Sequence, residues 1–304
     1  MYSVPDQTGR RFIVTGANSG TGKEATKRLA AAGAHVIMAV RTVSKGEDAR
    51  REILETVPNA SLEVRRVDLA DLASVREFAQ GILDEGKPID VLVNNAGVMA
   101  PPKRQTTTDD FELQFGSNFL GPFALTNLLL PRILESKSAR VVTMSSGLAN
   151  WGRIRFDDLQ AAKRYSPYRS YSQSKLADML AAQELAELAR KHKWDLISTT
   201  AHPGFTRTNL QSAGANLGRT RAPKKPPQRT FVPSQAVEQG TEPLLFAATS
   251  PTAEQGGYYG PGGRFGLVGP TKKTSLPRSA LRPGVTDRLS KVAEELTGTA
   301  LPTS

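Results

Sequence analysis

Tyr171 and Lys175 stand four residues apart in Tyr171-Ser172-Gln173-Ser174-Lys175. At that spacing both side chains lie on one face of a helix, one turn apart. A phenol beside an ammonium ionises more readily, because the positive charge favours the phenolate. A phenol able to give up or take a proton near neutral pH suits carbonyl reduction or alcohol oxidation. Alone, Tyr-x-x-x-Lys is a weak signal, met more often as a helix-start tyrosine and a solvated lysine. What decides is whether the chain also supplies a hydride carrier and the elements to hold it.

A carrier site is written near the N-terminus. Thr15-Gly16-Ala17-Asn18-Ser19-Gly20-Thr21-Gly22 follows an apolar run and opens a helical pattern. Glycines at Gly16, Gly20 and Gly22 let the backbone turn sharply and approach a ligand. The helix N-terminus behind them offers free N–H groups and a positive dipole to a pyrophosphate. Asn18, Ser19 and Thr21 share that turn. The spacing differs from the usual Gly-x-Gly-x-x-Gly fingerprint, and Ala17 and Glu24 break the phosphate-loop pattern of the NTPases. Val40-Arg41 closes the second apolar run, where an acid would hold a ribose 2′-hydroxyl and an arginine accommodates a 2′-phosphate. With no acid there and Lys45 nearby, the reading is NADP(H) rather than NAD(H); the bland alternative is an exposed arginine on a basic protein. Asp68 can accept from an adenine amino group and the Leu69 amide can donate, or Asp68 is a turn or capping aspartate. In Asn94-Asn95-Ala96-Gly97, small residues let an adenosine ribose lie against the backbone.

The elements that must position these residues alternate. Apolar runs at 11–15, 34–40, 61–67, 89–93, 139–144 and 195–201 read as strands. Between them, 23–32, 46–56, 71–85, 111–130 and 171–192 read as helices, with Asp71 or Ser74 as an N-cap and an interruption at Gly121-Pro122. A further helix is expected over 235–248, a short strand from Tyr258 and a last helix over 285–296. Strand–helix alternation predicts a single-domain α/β doubly wound fold over 1–304, its central parallel sheet covered by helices on both faces. Residues 205–231 read as a substrate lid loop and 262–304 as a C-terminal extension packing on the sheet edge or the substrate mouth.

Composition narrows the chemistry. The 304 residues contain no Cys and three scattered histidines, His35, His192 and His202. Disulfides, thiolate catalysis and cysteine-based metal sites are excluded, and no metal is expected. No apolar run of membrane-spanning length or signal-peptide core is present, which fits a cytoplasmic enzyme. The net charge is +11. Its densest stretch, Arg219, Arg221, Lys224, Lys225 and Arg229, lies among prolines and reads as an irregular loop, either meeting an anionic substrate group or simply solvated. Nothing there has the form of a nucleic-acid reader.

Taken together, Thr15-Gly-x-x-x-Gly-x-Gly22, Asp68, Asn94-Asn-Ala-Gly97, Asn118, Ser146, Tyr171-x-x-x-Lys175 and Pro203-Gly204-x-x-x-Thr208 resemble the short-chain dehydrogenase/reductases in content and order. The resemblance covers residues 11 to about 210. Ser117-Asn-Phe-Leu-Gly-Pro-Phe123 and Ala201-His-Pro-Gly204 look like the retinol dehydrogenase and protochlorophyllide reductase-like branch. Tyr258-Tyr-Gly-Pro261 and Glu294-Glu-Leu-Thr-Gly298 look like an actinobacterial set within it. Photochemistry is disfavoured by the lack of cysteine. The resemblance implies that Tyr171 is the acid/base and that Lys175 tunes it and binds the nicotinamide ribose. It implies that Ser146, rather than Ser145, steadies the substrate oxygen, and that Asn118 holds a water on a proton route. Pro203 and Gly204 would place backbone at the nicotinamide, with Thr206 and Thr208 on its carboxamide or the phosphates.

The expected function is transfer of hydride between NADP(H) and a carbonyl or alcohol, with a lipophilic substrate walled by Phe205, Leu210, Leu217 and Trp151. The alternative is a non-catalytic NADP(H) sensor on the same fold. Both a monomer and a homodimer are compatible with the sequence.

Overall fold

In the computed structural model, residues 1–208, 210, 214, 216–217 and 232–302 are described. Eight strands form one sheet in the order β3-β2-β1-β4-β5-β6-β7-β8. They are β1 (Arg11–Thr15), β2 (His35–Val40), β3 (Ser61–Arg66), β4 (Val91–Asn94), β5 (Ala139–Met144), β6 (Leu196–Ala201), β7 (Tyr258–Pro261) and β8 (Thr271–Lys273). All neighbours run parallel except β8, which joins β7 antiparallel. The fold is the expected doubly wound α/β arrangement.

The central strands are buried on both faces, as continuous apolar runs such as Phe12-Ile13-Val14 require. On one face α1 (Gly20–Ala31) and α2 (Val43–Thr56) cover Val14, Val36 and Met38 through Leu29 and Ile53. On the other, α3 (Leu72–Asp84), α4 (Gly121–Leu134) and α5 (Pro167–His192) cover Ile13, Ile37 and Leu92 through Val75, Leu129 and Leu185. Edge strand β3 is only partly buried, as its mixed sequence predicts. Order reverses between β1 and β4, so a crevice opens above their carboxyl ends, where doubly wound sheets bind ligands.

Several boundaries differ from expectation for physical reasons. Helix α5 starts at Pro167, not Tyr171; proline at the first helical position costs no hydrogen bond, and Ser166 is the N-cap. The long helix expected over 111–130 begins as a π-helical turn, Phe115–Leu120, becomes α-helical at Gly121 and runs through Pro131 to Leu134. The helix expected over 235–248 is two, α6 (Val237–Gly240) and α7 (Glu242–Thr249), parted at Thr241 with Pro243 in the first turn of α7. The extension supplies β8 at the sheet edge and α8 (Val285–Thr297), which packs on α4, α5 and the π-helical turn.

Candidate active site

The candidate residues follow the carboxyl ends of successive strands. After β1, Gly16 takes φ +67° and Gly20 φ +53°. A Cβ on Gly22 would stand 2.3 Å from the Gly16 carbonyl oxygen and 2.5 Å from Asn95 Nδ2. The turn is therefore folded onto itself and onto the end of β4, with no room for a side chain. Thr21 Oγ1 donates to Asn95 Oδ1 at 2.8 Å, and Asn95 Nδ2 donates to the Thr15 carbonyl at 2.9 Å. Thr15 Oγ1 accepts from the Asn95 and Ala96 amides at 2.9 and 3.0 Å. Thr21 and Asn95 thus brace the cradle rather than line it. Ser19 is an extended N-cap whose hydroxyl makes no capping bond, and Asn18 is half-buried beside it. This shape fits a pyrophosphate on the first turn of α1.

Arg41 and Lys45 are exposed just past β2, and neither forms an ion pair among the described residues. Asp68 follows β3; its Oδ1 accepts from the Ala70 amide at 3.0 Å and its own amide donates to Ser74 Oγ at 3.0 Å. The turn role weighed for Asp68 is present, and it shapes the Leu69 loop against which Gly121 packs. A Cβ on Gly121 would lie 2.4 Å from the Leu69 carbonyl oxygen.

Asn118 sits within the π-helical turn. Its Oδ1 accepts from the Val98 amide at 2.7 Å, while Nδ2 donates to the Val98 carbonyl and to Ser174 Oγ, both at 2.9 Å. The side chain ties the segment after β4 to α5, so any water on a proton route would need a partner beyond this amide. A Cβ on Gly97 would meet Asn118 Oδ1 at 3.3 Å and Lys175 Nζ at 3.6 Å, which places the ammonium directly beside the end of β4.

After β5 the two serines divide their work. Ser145 is buried, its hydroxyl donating to the Lys175 carbonyl at 2.7 Å. Ser146 is half-buried, caps a 3-10 turn (Gly147–Trp151) by accepting from the Leu148 amide at 3.2 Å, and lies close enough to Tyr171 to act on its phenol. The structure therefore brings Ser146, Tyr171, Lys175 and Asn118 together.

The electrostatics depart from the simple tyrosine–lysine pair. Burial pushes the Tyr171 phenol above its ordinary range; Lys175 and Ser146 pull it down, and Asp178 pushes it up. The expected lowering by Lys175 is present but outweighed, since a buried phenolate loses hydration. Burial also works to discharge Lys175, but Asp178 and Tyr171 outweigh it and hold the ammonium above its ordinary range. Asp178 is the residue that the sequence reading missed. Its Oδ2 lies 2.8 Å from Lys175 Nζ, and the i,i+3 spacing on one helix face is the signal that could have found it.

After β6, His202 is buried, accepts from the Gly204 amide at 3.3 Å and leans on Tyr258. Burial lowers it to about 4, so it is neutral. Gly204 takes φ +61°, and a Cβ there would lie 2.3 Å from the Leu267 carbonyl oxygen. Pro203 and Gly204 so hold a half-buried bend at the crevice. Thr206 departs from expectation: it is buried, and its hydroxyl donates to the Pro203 carbonyl against Gly240. Thr208 instead reaches the glycine turn, its Cγ2 3.5 Å from where a Gly20 Cβ would stand. Of the apolar wall, Phe205 is half-buried against Leu267, Leu210 and Leu217 are half-buried and Trp151 is 76% exposed. The cationic run 219–229 and most of the expected lid lie outside the described residues. Among the described residues no helix is long and apolar enough to cross a membrane.

A family model described as short chain dehydrogenase matches residues 10–216. Retinol dehydrogenase 12 of Mus musculus is 47% identical over 202 residues, 66% of this chain and 63% of that protein. Retinol dehydrogenase 14 of Homo sapiens is 37% identical over 306 residues, 95% of this chain and 87% of that protein. The match to retinol dehydrogenase 12 thus spans only 63% of that relative's length. Among solved structures, an uncharacterized protein from Mycobacterium Paratuberculosis superposes with a TM-score of 0.81 at 39% identity, over 98% of this chain and 97% of that one. A short chain dehydrogenase from Shigella flexneri, complexed with NADP, superposes with a TM-score of 0.65 at 23% identity, over 84% of this chain and 97% of that one, and shares the fold.

Proposed function

The chain belongs to the short-chain dehydrogenase family, in its retinol dehydrogenase-like branch, and from that premise we propose that it is an NADP(H)-dependent oxidoreductase interconverting a carbonyl and an alcohol on a lipophilic substrate. The observation that carries this reading is the convergence of Ser146, Tyr171 and Lys175 above the crevice where the sheet order reverses. A dinucleotide-binding protein without catalysis has no use for that trio.

The glycine turn and the first turn of α1 would hold the pyrophosphate, and Arg41 with Lys45 would meet the 2′-phosphate. Asp68 and Leu69 would flank the adenine, and Ala96 and Gly97 would take its ribose against the backbone. When bound, the nicotinamide supplies or takes up the hydride. Ser146 donates a hydrogen bond to the substrate oxygen and fixes it beside Tyr171. In reduction Tyr171 gives its proton to that oxygen; in oxidation it removes the hydroxyl proton. Lys175 stabilises the phenolate and points its remaining ammonium hydrogen toward the ribose. Pro203, Gly204 and Thr208 close the cradle from the β6 side. The names of the similar proteins, retinol dehydrogenases, support a lipophilic substrate class. NADP in the Shigella flexneri structure supports the cofactor at the level of the shared fold.

The test is a screen of NADPH oxidation across aldehydes, ketones and quinones, lipophilic ones included, beside a titration with NADPH and NADH. Turnover on at least one carbonyl is expected. Tight NADPH binding with no turnover on any carbonyl would replace the enzyme with a cofactor sensor.

A further inference from the structure

The proposed reaction uses Tyr171 and Lys175 but leaves a third buried ionisable group on the same helix unaccounted for. The Lys175 and Asp178 side chains are only 4% and 2% exposed, and their charged atoms are 2.8 Å apart. Lys175 Nζ also donates to the Met144 carbonyl at 2.9 Å. Of the three ammonium hydrogens, two are thus directed to Asp178 and to the end of β5, and one is left for the Tyr171 side. Asp178 also borders a partly open pocket of about 30 Å³ that it shares with Asn94, Thr126 and Thr143. Asn94 Oδ1, buried there, has no hydrogen-bond partner among the described residues.

Resting on the oxidoreductase reading, we propose that Asp178 is a positioning residue for the proton transfer: its carboxylate pins the Lys175 ammonium against the Met144 carbonyl and cancels part of its charge, so that the proton is kept on Tyr171, the form from which carbonyl reduction starts. A lysine alone would favour the phenolate, the form that oxidation needs. A buried carboxylate behind the lysine opposes that, because charges interact strongly where water does not screen them. The direction agrees with the forces on the phenol, on which Asp178 acts against Lys175. Lys175 and Tyr171 are the charged or titratable groups that act on this carboxylate and its partner among the described residues. The flanking β4, β5, α4 and the π-helical turn contribute Asn94, Thr143, Thr126 and Asn118, none of which titrates. His202, near Gly147, is the neighbouring titratable side chain from β6 and is neutral.

The test is Asp178→Asn, which keeps the shape and an acceptor for Lys175 but removes the charge. Tyr171 ionisation is read, without turnover, as the tyrosinate absorbance of the NADP⁺ complex minus that of the same protein carrying Tyr171→Phe. The midpoint should fall by about one pH unit or more on losing the charge, corresponding to about a tenfold shift toward phenolate. The limb of the kcat–pH profile for alcohol oxidation that reports this group should move down in pH by the same amount. Asp178→Glu, which restores the charge, should return both toward the parent values, a rescue that a purely structural role would not predict. Should the Asn variant misfold, Asp178→Ala is titrated in its place with the same expectation. A midpoint that stays or rises in a folded, charge-free variant overturns the proposal. Absence of turnover in the parent protein, with the midpoint still falling, would instead overturn the oxidoreductase reading and leave the electrostatic role of Asp178 standing.

Discussion

At the scale of single residues, the proposed chemistry turns on Tyr171, which is 4% exposed and lies between Ser146 and Lys175. Tyr171→Phe removes one oxygen from a site held by the backbone of α5, so the variant should fold and bind NADPH within about threefold of the parent. Its kcat should fall by about 10² to 10⁴, the usual contribution of a positioned acid or base. Stopped-flow binding and steady-state turnover on the same preparation decide it, and retained turnover would remove Tyr171 from the mechanism. Arg41 makes a separate claim. Exposed and free of ion pairs among the described residues, it is available to a 2′-phosphate, so NADPH should bind at least about tenfold more tightly than NADH. Arg41→Ala should erase most of that preference by weakening NADPH and leaving NADH nearly unchanged. Equal affinities in the parent would reassign Arg41 to the solvated surface. The placement of these residues was legible because residue type and order carry it: Gly16 and Gly20 take positive φ, a Cβ on Gly22 would collide with the Gly16 carbonyl, and Ser145 bonds the Lys175 carbonyl while Ser146 lies on the Tyr171 side. Thr206 was not, because its role depends on which way a side chain turns in three dimensions; Asp178 was signalled only by its i,i+3 spacing from Lys175.

At the scale of elements, the π-helical turn links cofactor and catalysis. Asn118 inside it clamps Val98 and Ser174, and Gly121 at its end packs directly on the Leu69 carbonyl. Gly121→Ala places a methyl group 2.4 Å from that oxygen, against backbone that cannot rotate away. The loop of Asp68 and Leu69 must shift, at a cost of about 1–3 kcal/mol for overpacking. Because the same loop is proposed to flank the adenine, KM for NADPH should rise several-fold more than kcat falls. A loss confined to stability, with KM unchanged, would separate this loop from the cofactor. The strands were legible from apolar runs because parallel strands are buried on both faces. The π-helical turn was not, since its extra residue per turn is held by contacts with Val98 and Ser174, distant in sequence. Strand β8 escaped notice for a related reason: Thr271-Lys272-Lys273 carries no apolar signal and becomes a strand by pairing with the edge of β7.

At the scale of the whole molecule, stability against pH is set by buried groups pulling in opposite directions. Burial raises Glu184 of α5 from 4.5 to about 7; Ser290 of α8, which donates to it, pulls it down, and Glu294 and Asp287 add to the rise. A carboxylate raised on folding stabilises the protein when protonated, and that contribution is lost as pH climbs from about 4.5 through about 7. His202 is the reverse: burial lowers it from 6.5 to about 4, so its contribution is full above 6.5 and is lost as pH falls toward about 4. Between pH 7.5 and 5 these two oppose each other, while buried Asp178, raised from 3.8 to about 6, adds to the Glu184 side. Glu184→Gln removes Glu184 from the balance while Asp178 and His202 stay common to both proteins and the formal net charge rises by one from +11. At pH 7.5 the variant should be more stable by on the order of 2 kcal/mol, allowing for partial solvent screening of Glu184. That corresponds to a Tm higher by about 4 °C for a chain of this size. By pH 5 the parent's Glu184 is protonated and the gap should close, so the variant loses stability on acidification more steeply than the parent does. Differential scanning calorimetry of both proteins at the two pH values tests the sign as well as the size. A gap that is the same at both would mean that Glu184 joins α8 to α5 by packing alone, with its charge playing no part.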